Sequence, residues 1–146
     1  MAPVLPALDQ ANTEPDQITH LVTVSCTGFS APGLDVGLIR DAGLPPDVQR
    51  TNIGFMGCHG ALNGLRISKA ITDADPEACV LRCAAELCSL HQQYGVQTDR
   101  IVSNALFADG AAAILGRGLT GRLDSMPWRV AASGSTIIPN TESQMS

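Results

Sequence analysis

Aromatic side chains are scarce in this 146-residue chain, which has three Phe, one Tyr and one Trp. Any core must therefore be aliphatic and alanine-rich, and a chain of one-domain size that is 45% hydrophobic can bury one. Basic residues are also few, nine Lys and Arg against 14 Asp and Glu, leaving a formal charge of −5. With no basic stripe to follow a phosphate backbone, nucleic acid is not expected as a partner. No apolar run approaches membrane-spanning length, and the N-terminus lacks the basic region and apolar block of a secretion signal. A cytoplasmic protein with no membrane partner is expected. Paired C-x2-C spacing is missing too. The five cysteines, Cys26, Cys58, Cys79, Cys83 and Cys88, form an odd set in a chain large enough to fold without disulfides, as for reduced thiols. Cys79, Leu81 and Cys83 alternate along one face of an apolar strand, so no metal site is expected.

What is present alternates strand and helix. Residues 1–17 mix prolines with polar residues and predict a frayed start, with at most a short helical turn over 5–12. Residues 18–26, β-branched and apolar nearly throughout, predict a strand buried on both faces. Turn formers follow, then helical spacing over 34–42 that stops at 43–46. A strand over 48–56 leads into a helix over 58–73, where Ala61, Leu62, Leu65, Ile67 and Ile71 predict a wide buried face. A buried strand over 78–87, a polar loop over 89–99 and a helix over 100–107 come next. Two strands, 111–115 and 128–133, are expected to pair with each other across 116–127. The pattern predicts a layered α/β fold with a mixed sheet.

The chain is organised around Thr51-Asn52-Ile53-Gly54-Phe55-Met56-Gly57-Cys58-His59-Gly60-Ala61-Leu62-Asn63-Gly64, where a strand ends at a cysteine and a helix opens. Unpaired amides at a helix start stabilise a thiolate, and the flanking glycines permit a sharp turn and close backbone approach. Cys58 is the candidate nucleophile, lying outside the carboxyl end of a strand, as reactive residues of α/β sheets do. Among the histidines, His59 is adjacent and cannot face the thiol, His20 begins a buried strand, and His91 follows the strand carrying Glu86 and could reach the same rim.

Five blocks stand in register: Ile18-Thr19-His20-Leu21-Val22, Cys26-Thr27-Gly28, Ala31-Pro32-Gly33-Leu34-Asp35, Gly57-Cys58-His59-Gly60-Ala61 and Ala105-Leu106-Phe107-Ala108-Asp109-Gly110-Ala111-Ala112-Ala113. Together they resemble the chalcone and stilbene synthase family, the type III polyketide synthases. Cys26-Thr27-Gly28 resembles bacterial members such as tetrahydroxynaphthalene and alkylpyrone synthases more than plant ones. The resemblance implies a thiolase-like fold and a homodimer that extends a starter acyl group from coenzyme A with malonyl-coenzyme A, needing no cofactor beyond these thioester substrates. It implies that Cys58 carries the acyl group and that Phe107 gates the coenzyme A tunnel. Cys26, Thr27, Cys88 and His91 fall on positions that line or shape the pocket, and Ala31 on a loop that closes the partner subunit's cavity.

The departures are as informative. The family's histidine and asparagine, which bind the thioester oxygen and assist decarboxylation, come from its second half, and no stretch here carries either motif. Residues 1–17 are therefore expected to be a truncated N-terminal helix or linker and 18–146 the nucleophile half of a condensing-enzyme domain, unable to condense alone. Two rivals are a ketoacyl-carrier-protein synthase and a catalytically dead half-domain acting as an assembly or regulatory subunit. A third is a small cysteine hydrolase using Cys58 and His91.

Overall fold

The computed structural model describes residues 3–118 and 128–141. Four strands form one mixed sheet in the order β2-β1-β3-β4, where β1 is His20–Ser25, β2 Gln49–Gly54, β3 Cys79–Glu86 and β4 Gly110–Arg117. β1 runs parallel to both β2 and β3, and β4 is antiparallel to β3. Helices α1 (Val4–Gln10) and α2 (Leu34–Ala42) bring buried side chains to one face of the sheet, while α3 (Gly60–Ala74) covers the other. This is the layered α/β architecture that the alternation predicts. Having α2 and α3 on opposite faces lets both parallel crossovers keep the usual right hand.

β1 is the centre of the sheet, and Leu21, Val22, Thr23 and Val24 are all buried. The strand's two faces feed two cores. Leu21 joins Val4, Leu8, Leu38, Leu81 and Cys83 on one side, while Val22 and Val24 join Ile53 and Val80 on the other. Cys79, Leu81 and Cys83 share one face, as their alternation predicts. α2 has the predicted bounds because Gly43, with φ 68°, supplies the left-handed residue that ends it.

Four expectations need correction. Residues 4–10 are not frayed: α1 forms there despite Pro6, which falls in the first turn where a proline costs no helical hydrogen bond. Val4 and Leu8, one turn apart, are both buried in the core. The wide apolar face of α3 is likewise not buried as a whole. Leu62 is exposed, while Gly60, Asn63, Gly64 and Ser68 form the buried stripe, since small residues let the helix sit close to the sheet. β4 pairs with β3, from Cys79↔Arg117 to Glu86↔Gly110, and residues 128–133 form no strand. The expected connection over 116–127 lies largely outside the described residues. Finally, the polar loop over 89–99 contains a 3-10 turn at its start, Cys88–His91, and α4 begins early, spanning Thr98–Leu106.

Candidate active site

Because β1, β2 and β3 are parallel, the segments that follow them leave from the same edge of the sheet. Cys26 and Thr27 follow β1, Phe55 to Cys58 follow β2, and the Cys88–His91 turn follows β3. After β2 the chain reverses through two left-handed residues, Phe55 at φ 55° and Gly57 at φ 65°. Gly57 suits that conformation, whereas for Phe55 it costs about 1 to 2 kcal/mol. The Phe55 ring lies 6.3 Å from that of Phe29, tilted by 41°, an aromatic pair that offsets part of that cost.

Cys58 is exposed in a 3-10 turn, Gly57–His59, that leads directly into α3. It thus precedes the helix rather than occupying its first turn. Cys26, half-buried, points its Sγ to 3.7 Å from the Gly57 carbonyl oxygen and so stands beside the Cys58 turn.

Glu86, at the end of β3, holds this rim together. Its carboxylate accepts from the Cys26 amide at 3.0 and 3.1 Å, from the Thr27 amide at 3.1 Å and from the Thr27 hydroxyl at 2.6 Å. The same hydroxyl accepts from the Leu87 amide at 2.7 Å, so Thr27 is fixed between two ends of β3's exit. His91 is drawn in as well, its Nε2 lying 2.7 Å from the Thr27 carbonyl oxygen. The ring therefore engages Thr27, and among the described residues no hydrogen bond joins it to Cys58. His20 sits at the opposite end of β1, 2.8 Å from the Thr19 hydroxyl. His59 caps α3 and is exposed.

Phe107 closes α4 and is 53% exposed, so it is not a core residue. Two residues on, Asp109 accepts from both the amide and the hydroxyl of Ser89, each at 2.7 Å, tying the Phe107 segment to the Cys88–His91 turn. Those two bonds hold the Asp109 carboxyl below its usual range. Ala31 lies exposed on the segment between β1 and α2. Cys26, Thr27 and His91 are thus joined through hydrogen bonds, Cys58 adjoins Cys26, and Cys88 and Phe107 flank the Ser89–Asp109 link.

The sequence reading did not single out Ser89, Asp109 or Arg82. A carboxylate just before a glycine that opens a strand is an ordinary turn signal, and nothing local marks its partner 20 residues away. Arg82 has a plainer signal, a charge inside an otherwise apolar strand. It is buried on the face toward α3, and burial pushes its guanidinium down from the usual arginine range.

Comparisons with known proteins agree with this arrangement. Residues 5–118 match the family described as chalcone and stilbene synthases, N-terminal domain. Over 145 residues the chain is 37% identical to a 1,3,6,8-tetrahydroxynaphthalene synthase from Streptomyces griseus, which covers 96% of this chain and 37% of that protein. It is 35% identical over 142 residues to a probable polyketide synthase 1 from Dictyostelium discoideum, covering 97% of this chain but 4% of that protein. The fold superposes with a TM-score of 0.85 at 34% identity on the crystal structure of 1,3,6,8-tetrahydroxynaphthalene synthase from Streptomyces coelicolor, a bacterial type III polyketide synthase, covering 95% of this chain and 39% of that one. The chain therefore spans well under half the length of these relatives. With a thiolase-like sheet, a cysteine turn at its rim and a family match over most of its length, the chain belongs to the chalcone and stilbene synthase family, the type III polyketide synthases.

Proposed function

We propose that this chain supplies the acyl-accepting half of a type III polyketide synthase, an acyltransferase that condenses malonyl-coenzyme A onto a starter acyl group held on Cys58. The observation that carries the reading is the position of Cys58, an exposed thiol on a glycine-flanked turn between β2 and α3, in a chain matching the family's N-terminal domain. Residues 18–146 act as the nucleophile half, and residues 1–17 serve as the N-terminal segment beneath it.

The Cys58 thiolate attacks the carbonyl carbon of a starter acyl-coenzyme A. The bond from that carbon to coenzyme A sulfur breaks, and the acyl group remains on Sγ as a thioester. Malonyl-coenzyme A then loses carbon dioxide, its carbanion attacks the Cys58 thioester, and the thiolate leaves as the new carbon–carbon bond forms. The amides at the start of α3 are suited to stabilise negative charge at the sulfur. Cys26, Thr27, Cys88 and His91 line the substrate pocket, Phe107 gates its entrance, and Ala31 reaches the partner subunit's cavity in a homodimer. No cofactor takes part beyond the coenzyme A thioesters. Reduced cysteines and acidic charge suit a cytoplasmic enzyme.

The histidine and asparagine expected from the family's second half have no counterpart in these 146 residues. Losing such oxyanion partners costs about a hundredfold or more in rate, so the chain by itself acylates but does not condense. Incubation with an acyl-coenzyme A should give a single adduct by intact mass, mapping to Cys58 and absent from Cys58→Ala. No adduct, with Cys58 alkylated by iodoacetamide no faster than Cys26 and Cys88, overturns the reading.

A further inference from the structure

The rim brings a second thiol beside the Cys58 turn. Cys26 follows β1 and Cys58 follows β2, and these parallel strands leave the sheet side by side, with Ser25 paired to Gly54. Cys26 Sγ lies 3.7 Å from the Gly57 carbonyl oxygen. The planar peptide between Gly57 and Cys58 fixes that oxygen about 2.8 Å from Cys58 Cα. Cys26 Sγ is therefore no more than about 6.5 Å from Cys58 Cα, a gap that the Cys58 side chain narrows further when it rotates toward it.

The other three thiols are placed differently. Cys79 and Cys83 are buried in the core with Leu21 and Leu81. Cys88 opens the 3-10 turn after β3, and among the described residues no hydrogen bond joins its sulfur to Cys26 or to the Cys58 turn.

Cys26 and Cys58 are also held in unlike ways. The Cys26 amide donates to both oxygens of Glu86, at 3.0 and 3.1 Å, so its main chain is anchored and its sulfur half-buried. Cys58 stands exposed on a 3-10 turn, and a Cβ at Gly57 would meet nothing within 4 Å, so this turn has open space beside it. An exposed sulfur on an unpacked turn meets a dissolved oxidant first. The anchored thiol next to it is within reach of the product.

We propose that Cys26 is a resolving thiol for Cys58, capturing hydroperoxide oxidation of Cys58 as a reversible Cys26–Cys58 disulfide. The Cys58 sulfur attacks one oxygen of hydrogen peroxide, the O–O bond breaks, and a sulfenic acid forms as one water leaves. The Cys26 sulfur then attacks the Cys58 sulfur, the S–O bond breaks, and the Cys26 proton departs in a second water. Two thiols are oxidised to one disulfide and one peroxide is reduced to two waters. The bridge keeps Cys58 from the irreversible sulfinic acid, and a dithiol reductant returns both thiols. Transient disulfides of this kind are the redox-sensing type found in reducing compartments. That the bridge withholds the nucleophile from acyl-coenzyme A rests on the reading of Cys58 as the acyl acceptor; formation of the bridge does not.

The test exposes the 146-residue chain to hydrogen peroxide at low micromolar protein, blocks remaining thiols and reads peptide masses without reduction. The expected result is one joined pair of peptides, Cys26 with Cys58 of the same chain, lighter by two hydrogens than the sum of the two. Acylation by acyl-coenzyme A should be lost with its formation and return after dithiothreitol. In Cys26→Ser, and in Cys26→Ala as a second variant, Cys58 should pass instead to sulfinic acid, and dithiothreitol should not restore acylation. A wild-type Cys58 that stays reduced, goes to sulfinic acid as fast as in Cys26→Ser, or bridges to Cys88 or to a second chain overturns the proposal. The wild-type readout needs no substitution, so a variant that fails to fold does not shield the idea. Failure of the underlying reading looks different, because the fully reduced chain would then take no acyl group on Cys58 before any peroxide is added.

Discussion

The Glu86 carboxylate at the end of β3 binds the main-chain amides of both Cys26 and Thr27, 60 and 59 residues earlier in the chain, just after β1. Two neighbouring parallel strands are thereby locked at the rim where Cys58 also stands. Glu86→Ala leaves those amides and the Thr27 hydroxyl without this acceptor. A net charge-assisted hydrogen bond contributes about 1.5 to 3 kcal/mol, and partial exposure places the expected loss toward the lower figure. Urea denaturation should show that loss, and Cys26 should alkylate faster as its loop loosens.

A second tie at the rim depends on acid. Asp109 is held below the usual carboxyl range, first by the Ser89 amide and second by the Ser89 hydroxyl. A group whose folded value is depressed contributes stability that is complete above its unfolded value and disappears as pH falls through the folded one. The Ser89–Asp109 tie is therefore intact at neutral pH and released as pH drops from about 4 downward. Limited proteolysis with pepsin should cut near Phe107 faster as pH is lowered through that window. In Asp109→Asn this acceleration should be largely absent, with cutting already fast at its upper end.

The same rim shows how much of the molecule was legible in its sequence. β1 and α2 were readable because each carries a local cause, an unbroken apolar run in one and Gly43 at the stop of the other. The turn that places Cys58 between β2 and α3 was readable from the glycines around it. α3 misled because apolar periodicity assumes that large side chains are buried, whereas this helix approaches the sheet through Gly60 and Gly64 and leaves Leu62 outside. The pairing of β4 with β3 and the Ser89–Asp109 tie depend on partners 20 or more residues away, which no local pattern encodes. α1 was foreseen only as a short turn over 5–12 because the prolines around it were weighed as breakers, although Pro6 stands in the one turn that tolerates it.

Association is the next expectation. Leu87, Leu90, Tyr94, Val96, Ile101, Val102, Leu106 and Phe107 are all exposed large apolar side chains within 21 residues of sequence, spanning the end of β3 and α4. So much apolar surface in one segment suits contact with further protein, as the proposed homodimer requires. Light scattering at micromolar concentration should give a mass above that of one 15.2 kDa chain. Val102 and Leu106 are one turn apart on α4, so Val102→Glu with Leu106→Glu should weaken self-association at least about tenfold, given the cost of burying charge. A strictly monomeric wild-type chain would remove the argument for a dimer through this segment.

The five thiols should separate into two kinetic classes under alkylation, because the fold gives them different access. Cys79 and Cys83 lie in the core with Leu21 and Leu81, and burial pushes the Cys83 thiol up from its usual value, keeping it neutral. Cys79 also accepts a contact from Arg117 Nε at 3.2 Å, in a cluster where Arg117 holds Thr13 and anchors the segment after α1. Reagent reaches these two sulfurs only when the sheet opens, so their labelling should follow unfolding and speed up in urea in step with the loss of folded protein. Cys58, Cys26 and Cys88, exposed or half-exposed at the rim, should label from the native state with little dependence on low urea. Glu86→Ala moves only the rim class if its effect is local. Acceleration of Cys79 and Cys83 in proportion would mean instead that the clamp supports the whole sheet, and comparing the two rates in one sample decides between these outcomes.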